Sequence, residues 1–120
     1  MILADTSVWV DHLRRGNSQL AELLEEAQVT CHRFVIGELA CGNLRKREQI
    51  LEYLSRLPLV GTLAHGEVME LVRRRRLMGS GIGWVDAHLL AASLVEDVSL
   101  WTLDRSLGAV ARRLGVCAVA

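Results

Sequence analysis

The chain has 120 residues, 51% of them hydrophobic and 23% charged, and its 14 basic and 14 acidic residues balance to a net charge of zero. This length suits one domain, spanning residues 1–120, around one buried core, and the composition excludes an intrinsically disordered chain. No apolar run approaches the roughly 20 residues of a membrane span, and no secretory signal opens the sequence. We therefore predict one globular domain that has no membrane partner.

Helical periodicity and short apolar runs alternate along the whole chain. In chain order we predict a strand at 1–4, helices at 7–15 and 20–28, a strand at 29–31, helices at 34–43 and 45–56, an extended piece at 58–60, helices at 65–78 and 84–95, a strand at 100–103, a helix at 105–114 and a strand at 116–120. This alternation predicts an α/β fold whose mostly parallel central sheet is covered by helices on both faces.

The cysteines and the basic residues carry further information. Cys31, Cys41 and Cys117 form no CxxC pair, so we expect reduced, mostly buried thiols in a cytoplasmic protein and no structural zinc site. Of the 14 basic residues, 13 are arginine, which binds phosphate as a planar fork. A high-GC coding bias would give the same excess, so nucleic-acid binding stays open on this ground.

Two predicted strands end in the same way, since ILA runs into Asp5 and LWTL runs into Asp104. Ligands of open parallel sheets bind beyond the carboxyl ends of the strands, so these aspartates converge if their strands are neighbours. Asp is also a favoured N-cap that complements the helix dipole. For either aspartate taken alone, the cap is the stronger explanation.

Two more acids interrupt apolar segments. Glu38 lies within FVIGELAC and Asp86 within WVDAHLLAA. A carboxylate buried in such a helix needs a partner, which for Glu38 could be an arginine, a hydroxyl or a metal, whereas the helix dipole could account for Asp86. Gathered carboxylates repel unless a cation neutralises them. An all-oxygen site suits Mg²⁺ or Mn²⁺, which support phosphodiester hydrolysis.

Other catalytic patterns are not present. The GSGIG segment at 79–83 follows a predicted helix and lacks the Lys-Ser/Thr ending of a phosphate-binding loop. The four histidines show no HExxH spacing, and no serine has the surroundings of a catalytic triad. The acids are therefore the strongest catalytic candidates.

The segments ILADTSVW, FVIGELACG, GIGWVDAHLLAAS and LWTLDRSL occur in this order. They resemble the successive signatures of a PIN domain, and more narrowly those of the VapC toxins of bacterial toxin–antitoxin modules. The resemblance spans essentially the whole chain. It implies a three-layer α/β/α sandwich and a Mg²⁺- or Mn²⁺-dependent endoribonuclease that cuts tRNA or rRNA. It also implies a homodimer and neutralisation by a VapB-type antitoxin.

The resemblance also implies roles for particular residues. The family's catalytic acids fall on Asp5, Glu38, Asp86 and Asp104. Of these, Asp5, Asp86 and Asp104 are the expected direct metal ligands, and Glu38 would complete the pocket. Hydroxyls expected to orient carboxylates or water belong to Thr6, Ser7 and Thr102. Because all four acids are present, an active enzyme is favoured over the alternative, a catalytically silent PIN-like module that binds RNA or protein.

Four consecutive arginines lie late in the helix predicted at 65–78: Arg73, Arg74, Arg75 and Arg76. Because consecutive residues fan around a helix, only one or two of them could meet RNA phosphate. A solvated helix end whose cations favour the dipole is an equal alternative. The three tryptophans sit beside apolar residues, and we expect them in the core or in an interface.

Overall fold

A computed structural model of the protein describes residues 1–118. The end of the strand predicted at 116–120 lies outside the described residues. In chain order the elements are β1 (Ile2–Ala4), α1 (Thr6–Arg15), α2 (Ser18–Glu25), β2 (Val29–Thr30), α3 (Arg33–Cys41), α4 (Arg47–Ser55), α5 (His65–Arg74), α6 (Trp84–Glu96), β3 (Ser99–Trp101) and α7 (Arg105–Arg113).

The strands form a parallel sheet in the order β2-β1-β3, with β1 in the centre. Isolated parallel bridges extend this pairing on both sides, from Cys31 to Leu59 and from Leu100 to Cys117. Every strand pairing in residues 1–118 is thus parallel, which confirms the predicted sheet type. The carboxyl ends of β1 and β3 consequently lie at the same edge.

Helix packing, rather than the length of the ladder, stabilises this sheet. Its strands are only two or three residues long. Leu3 of β1 and Leu100 of β3 are fully buried, and so is Leu90 of α6. The helix α1 packs against α2 and α3, α3 packs against α4, and α5 packs against α6, which also contacts β3. The α/β sandwich predicted from the sequence is confirmed.

The prediction of a helix over 65–78 is wrong at its end, because α5 ends at Arg74. Arg76 has a φ of +53°, and the Leu77 N–H donates to the carbonyl oxygen of Val72. This left-handed reversal buries Leu77 and leaves Met78 61% exposed. Met78 therefore lies outside the helix, and the arginine run extends past the helix end.

The other small predictions have mixed outcomes. The cysteines carry free thiols; Cys31 is buried, but Cys41 is exposed, so the expectation of mostly buried thiols is wrong for Cys41. Burial raises the pKa of the Cys31 thiol to about 11.

Trp9 lies in the core, whereas Trp84 is 40% exposed. Within the described part of the chain, none of the helices combines the length and apolar character needed to cross a bilayer.

Candidate active site

Asp5 and Thr102 meet where β1 and β3 end. Ala4 pairs with Trp101 at the last position of the register, and the Asp5 N–H donates to the Trp101 carbonyl oxygen at 3.0 Å. The next residue of each strand therefore leaves the sheet at the same edge. Thr102 Oγ1 donates to Asp5 Oδ2 at 2.5 Å, joining residues that are 97 positions apart.

The Asp5 carboxylate is only 5% exposed, yet both of its oxygens accept hydrogen bonds. Ser7 Oγ donates to Oδ1 at 2.5 Å, and the Val8 N–H donates to the same oxygen at 3.3 Å. The contact with Val8 makes Asp5 the N-cap of α1. The cap and the strand-end position thus apply to one side chain, and its donors compensate for the loss of water around the charge.

Asp104 has the same relation to α7. Its Oδ1 accepts from the Leu107 N–H at 2.9 Å, as an N-cap does. Its own N–H donates to Thr102 Oγ1 at 3.0 Å, and the neighbouring Leu103 N–H donates to Ser7 Oγ at 2.9 Å. The Thr102 and Ser7 hydroxyls therefore connect Asp5 with the start of α7.

Asp86 lies in the first turn of α6 and is half-buried, with Oδ2 accepting from the Gly83 N–H at 3.0 Å. Burial raises the pKa of Asp86, and the hydrogen bond from Gly83 opposes this shift. The negative charges of Asp5, Asp104 and Glu38 raise the pKa of Asp86 further. Asp86 is thus near enough to the other three predicted acids to be repelled by them, as in sites that bind cations.

Glu38 is exposed, so the expectation of a carboxylate buried in an apolar helix is wrong. The helix α3 buries Val35 and Leu39 in the core and leaves Glu38 on its solvent side. Glu38 Oε1 accepts from Thr6 Oγ1 at 2.5 Å. Its partner is therefore a hydroxyl of α1 and not one of the arginines near it in sequence.

The donor set consists only of oxygen atoms and suits a hard divalent cation. In residues 1–118, however, no three His, Cys, Asp or Glu side chains are grouped closely enough to surround one metal ion. Hydroxyl or amide donors bind each carboxylate instead, as expected for like charges that repel. The residues therefore fit a Mg²⁺ or Mn²⁺ ion in their chemistry, but the described side chains are not grouped closely enough to hold it.

The four consecutive arginines do not form one surface. Arg73 forms an ion pair with Glu70 on α5, whereas Arg76 lines a cleft together with Arg105 and Arg113 of α7. Arg105 and Arg113 are not among the binding residues predicted from the sequence. They lie about two helical turns apart, beginning directly after Asp104. This spacing, which is visible in the sequence, places them on one side of α7.

Three comparisons with known proteins concern the chain as a whole. A family model described as PIN domain matches residues 2–113. Ribonuclease VapC32 of Mycobacterium tuberculosis, from two strains, is 46% identical over 117 residues, which cover 97% of this chain and 94% of the relative. The crystal structure of PAE2754 from Pyrobaculum aerophilum matches with a TM-score of 0.66 at 17% identity, covering 95% of this chain and 94% of the other. This last likeness concerns the fold alone.

Proposed function

Because the chain belongs to the PIN-domain family and, within it, to the VapC-type endoribonuclease toxins, we propose that it hydrolyses RNA phosphodiester bonds with the help of Mg²⁺ or Mn²⁺. The proposed metal ligands are Asp5, Asp86 and Asp104, and the proposed substrates are tRNA or rRNA. One observation carries this site assignment: the Thr102 hydroxyl joins the carboxylate of Asp5 to the backbone of Asp104.

Each acid has a backbone or hydroxyl partner that orients it. Ser7 and Thr102 hold the Asp5 carboxylate, and the Gly83 N–H holds one oxygen of Asp86. A divalent ion, when bound, lowers the pKa of water and offsets the negative charge that develops on phosphate. Thr6 of α1 orients Glu38 by a hydrogen bond. We propose that Glu38 would contact the metal ion through a water molecule.

Cleavage assays on the separate aspartates test this proposal. Purified protein would be incubated with tRNA and rRNA, with and without Mg²⁺, beside Asp5→Asn, Asp86→Asn and Asp104→Asn. We expect cleavage to require the metal and to fall at least about 100-fold in each variant, because even the partners of metal ligands contribute about 10–100-fold.

Asp97→Asn is the matched control. Asp97 caps the other end of the 13-residue helix α6 with a φ of +55°, about 16 Å from Asp86 along the axis, and Asn accepts this left-handed conformation. The control should cleave at the wild-type rate, and circular dichroism should show all variants folded. Metal-independent cleavage, or full activity of the three site variants, would contradict the proposal.

We further propose that a VapB-type antitoxin and a second copy of the chain are its partners in the cytoplasm. A groove of about 680 Å³ between α1, α3 and α4 adjoins Glu38 and Thr6. Its apolar residues include Val10 and Leu13, and its cations include Arg14, a combination that suits an amphipathic, acidic segment. Sedimentation of the pure chain, and of its mixture with the product of a short upstream reading frame, would test both partners.

A further inference from the structure

A cluster of arginines includes Arg105, which directly follows the proposed metal ligand Asp104 in the chain. A cleft of about 500 Å³ opens between the end of α5, the loop at 79–83 and α7. We call it the arginine cleft, and its lining residues are Arg76, Ser80, Arg105, Ser106, Ala109, Val110 and Arg113. None of these residues is acidic, so the lining is cationic.

Among residues 1–118, no acidic side chain pairs with the arginines of the cleft. Within residues 1–118, Arg15, Arg56 and Arg73 each pair with an acid of their own helix, whereas the three cleft arginines form no ion pair. The Arg113 guanidinium donates to the carbonyl oxygen of Arg76 at 3.5 Å, which leaves its charge unneutralised. Three such cations in one cleft repel one another unless an anion joins them.

The backbone keeps the walls of the cleft close together. Gly81 has a φ of +86°, and a Cβ at this position would lie 2.9 Å from Ser106 Oγ. Only glycine therefore lets the loop at 79–83 pack against α7 at this point. On α7, Arg105 and Arg113 lie about two turns apart on one side, with Ala109 between them. The cleft is thus built from three separate segments of the chain.

We propose that the arginine cleft binds the RNA backbone at a phosphate next to the one that is cut. This inference rests on the proposed function, because the helix α7 begins at Arg105 immediately after the proposed metal ligand Asp104. Guanidinium groups bind phosphate oxygens through two parallel hydrogen bonds. Such contacts hold a nucleic acid in register without reading its sequence.

An acidic protein segment is the competing occupant. Protein partners bind chiefly through buried apolar or aromatic anchors, and the cleft offers none: Val110 is only 5% exposed, and its other apolar member is Ala109. The groove between α1, α3 and α4 has the apolar surface that such a partner needs. A lining of arginine and serine instead favours the phosphate backbone.

RNA binding can be measured separately from cleavage. A fluorescein-labelled single-stranded RNA of 12 nucleotides would be titrated in EDTA, with anisotropy as the readout, at several salt concentrations. We expect Arg105→Gln with Arg113→Gln to raise the Kd at least about 10-fold and to reduce the slope of log K against log salt by about 0.7 for each lost phosphate contact.

Two further pairs serve as controls. Arg15→Gln with Arg56→Gln changes the net charge equally at arginines that already pair with an acid, and its Kd should stay within about threefold of the wild type, because neither residue lines the arginine cleft. Arg105→Lys with Arg113→Lys keeps the charge and should recover most of the lost affinity, since Lys also binds phosphate. Thermal melting would show that every pair is folded.

An unchanged Kd and salt slope in the glutamine pair, while the wild type still cleaves RNA in Mg²⁺, would overturn this inference and leave the proposed function intact. Loss of binding to a labelled decaglutamate with RNA binding unchanged would equally overturn it, in favour of an acidic protein segment. If the wild type cleaves no RNA, the proposed function fails, and the Kd comparison still decides whether the cleft binds RNA.

Discussion

Two buried polar residues near the ends of neighbouring strands have opposite environments. Asp5, after β1, accepts hydrogen bonds on both carboxylate oxygens. His32, just beyond β2, is fully buried, and its Nδ1 accepts from the Phe34 N–H at 2.9 Å. Its Nε2 has no partner within residues 1–118. Hydrogen-bond donors thus stabilise a negative charge on Asp5, whereas the surroundings of His32 do not stabilise a positive charge on its ring.

The consequence for His32 is a neutral ring. Burial lowers the pKa of His32 to about 4, and the positive charges of His88 and Arg33 contribute in the same direction, against a smaller opposite effect of Glu96. The donors around Asp5 would not stabilise a cation, and within residues 1–118 no acceptor lies in hydrogen-bond reach of His32 Nε2. The difference shows that local donors and acceptors decide which charge this edge of the sheet tolerates.

We expect the largest effect from removing one of the hydroxyl groups that donate to the Asp5 carboxylate. Thr102→Val deprives Asp5 Oδ2 of a hydrogen bond and the Asp104 N–H of its acceptor, with little change of shape. We expect RNA cleavage to fall about 10–100-fold and the free energy of unfolding to fall by about 1–3 kcal/mol. Cleavage assays and urea denaturation would measure these effects.

Thr102→Ser is the control for this change, because it keeps the hydroxyl and loses only a methyl group. It should retain cleavage within about threefold if the hydroxyl is what matters. The Val variant keeps the methyl group, which lies near Gly108, so a loss as large in the Ser variant would show that the hydroxyl alone does not account for the effect.

The pH dependence of the free energy of unfolding tests the environment of His32. The pKa of His32 is about 4 in the folded protein, against an ordinary value of 6.5. Between these two pH values the unfolded chain therefore binds more protons than the folded protein. His32 thus destabilises the fold as pH falls from 6.5 to 4, by up to about 3 kcal/mol, and has no such effect above pH 6.5.

His32→Asn isolates this contribution, because Asn can still accept from the Phe34 N–H as an N-cap but does not titrate there. Urea denaturation at several pH values should show a shallower loss of stability below pH 6.5 in the variant than in the wild type. Parallel curves for the two proteins would refute a buried neutral His32.

The smallest expected effect concerns Asp86, whose carboxylate has one hydrogen bond and three repelling neighbours. Because its pKa is raised, ionised Asp86 costs stability above its ordinary pKa. Asp86→Asn keeps an acceptor for the Gly83 N–H, so the metal-free variant should gain under about 1 kcal/mol at pH 7, since solvent screens a half-buried site. A clear loss of stability, with Asp97→Asn unchanged, would contradict this account.

Much of the fold was predictable from local pattern. The helices and strands follow from periods of apolar residues, and their alternation predicted a parallel sheet, which is confirmed. Local pattern failed at the end of α5, because burial of Leu77 reverses the chain there. It failed for Glu38 because burial depends on how closely the neighbouring helices pack: α1 and α4 pack against α3 but leave Glu38 exposed in the groove between them.

The site divides in the same way between sequence and structure. Four acids at strand ends and in apolar segments could be selected from the sequence, since charge in such places requires compensation; their catalytic roles stay predictions. Only the tertiary structure decided which hydroxyl holds which carboxylate, and that Arg76, Arg105 and Arg113 share a cleft. The reason is physical: these contacts join segments far apart in the chain, and packing around the short sheet brings them together.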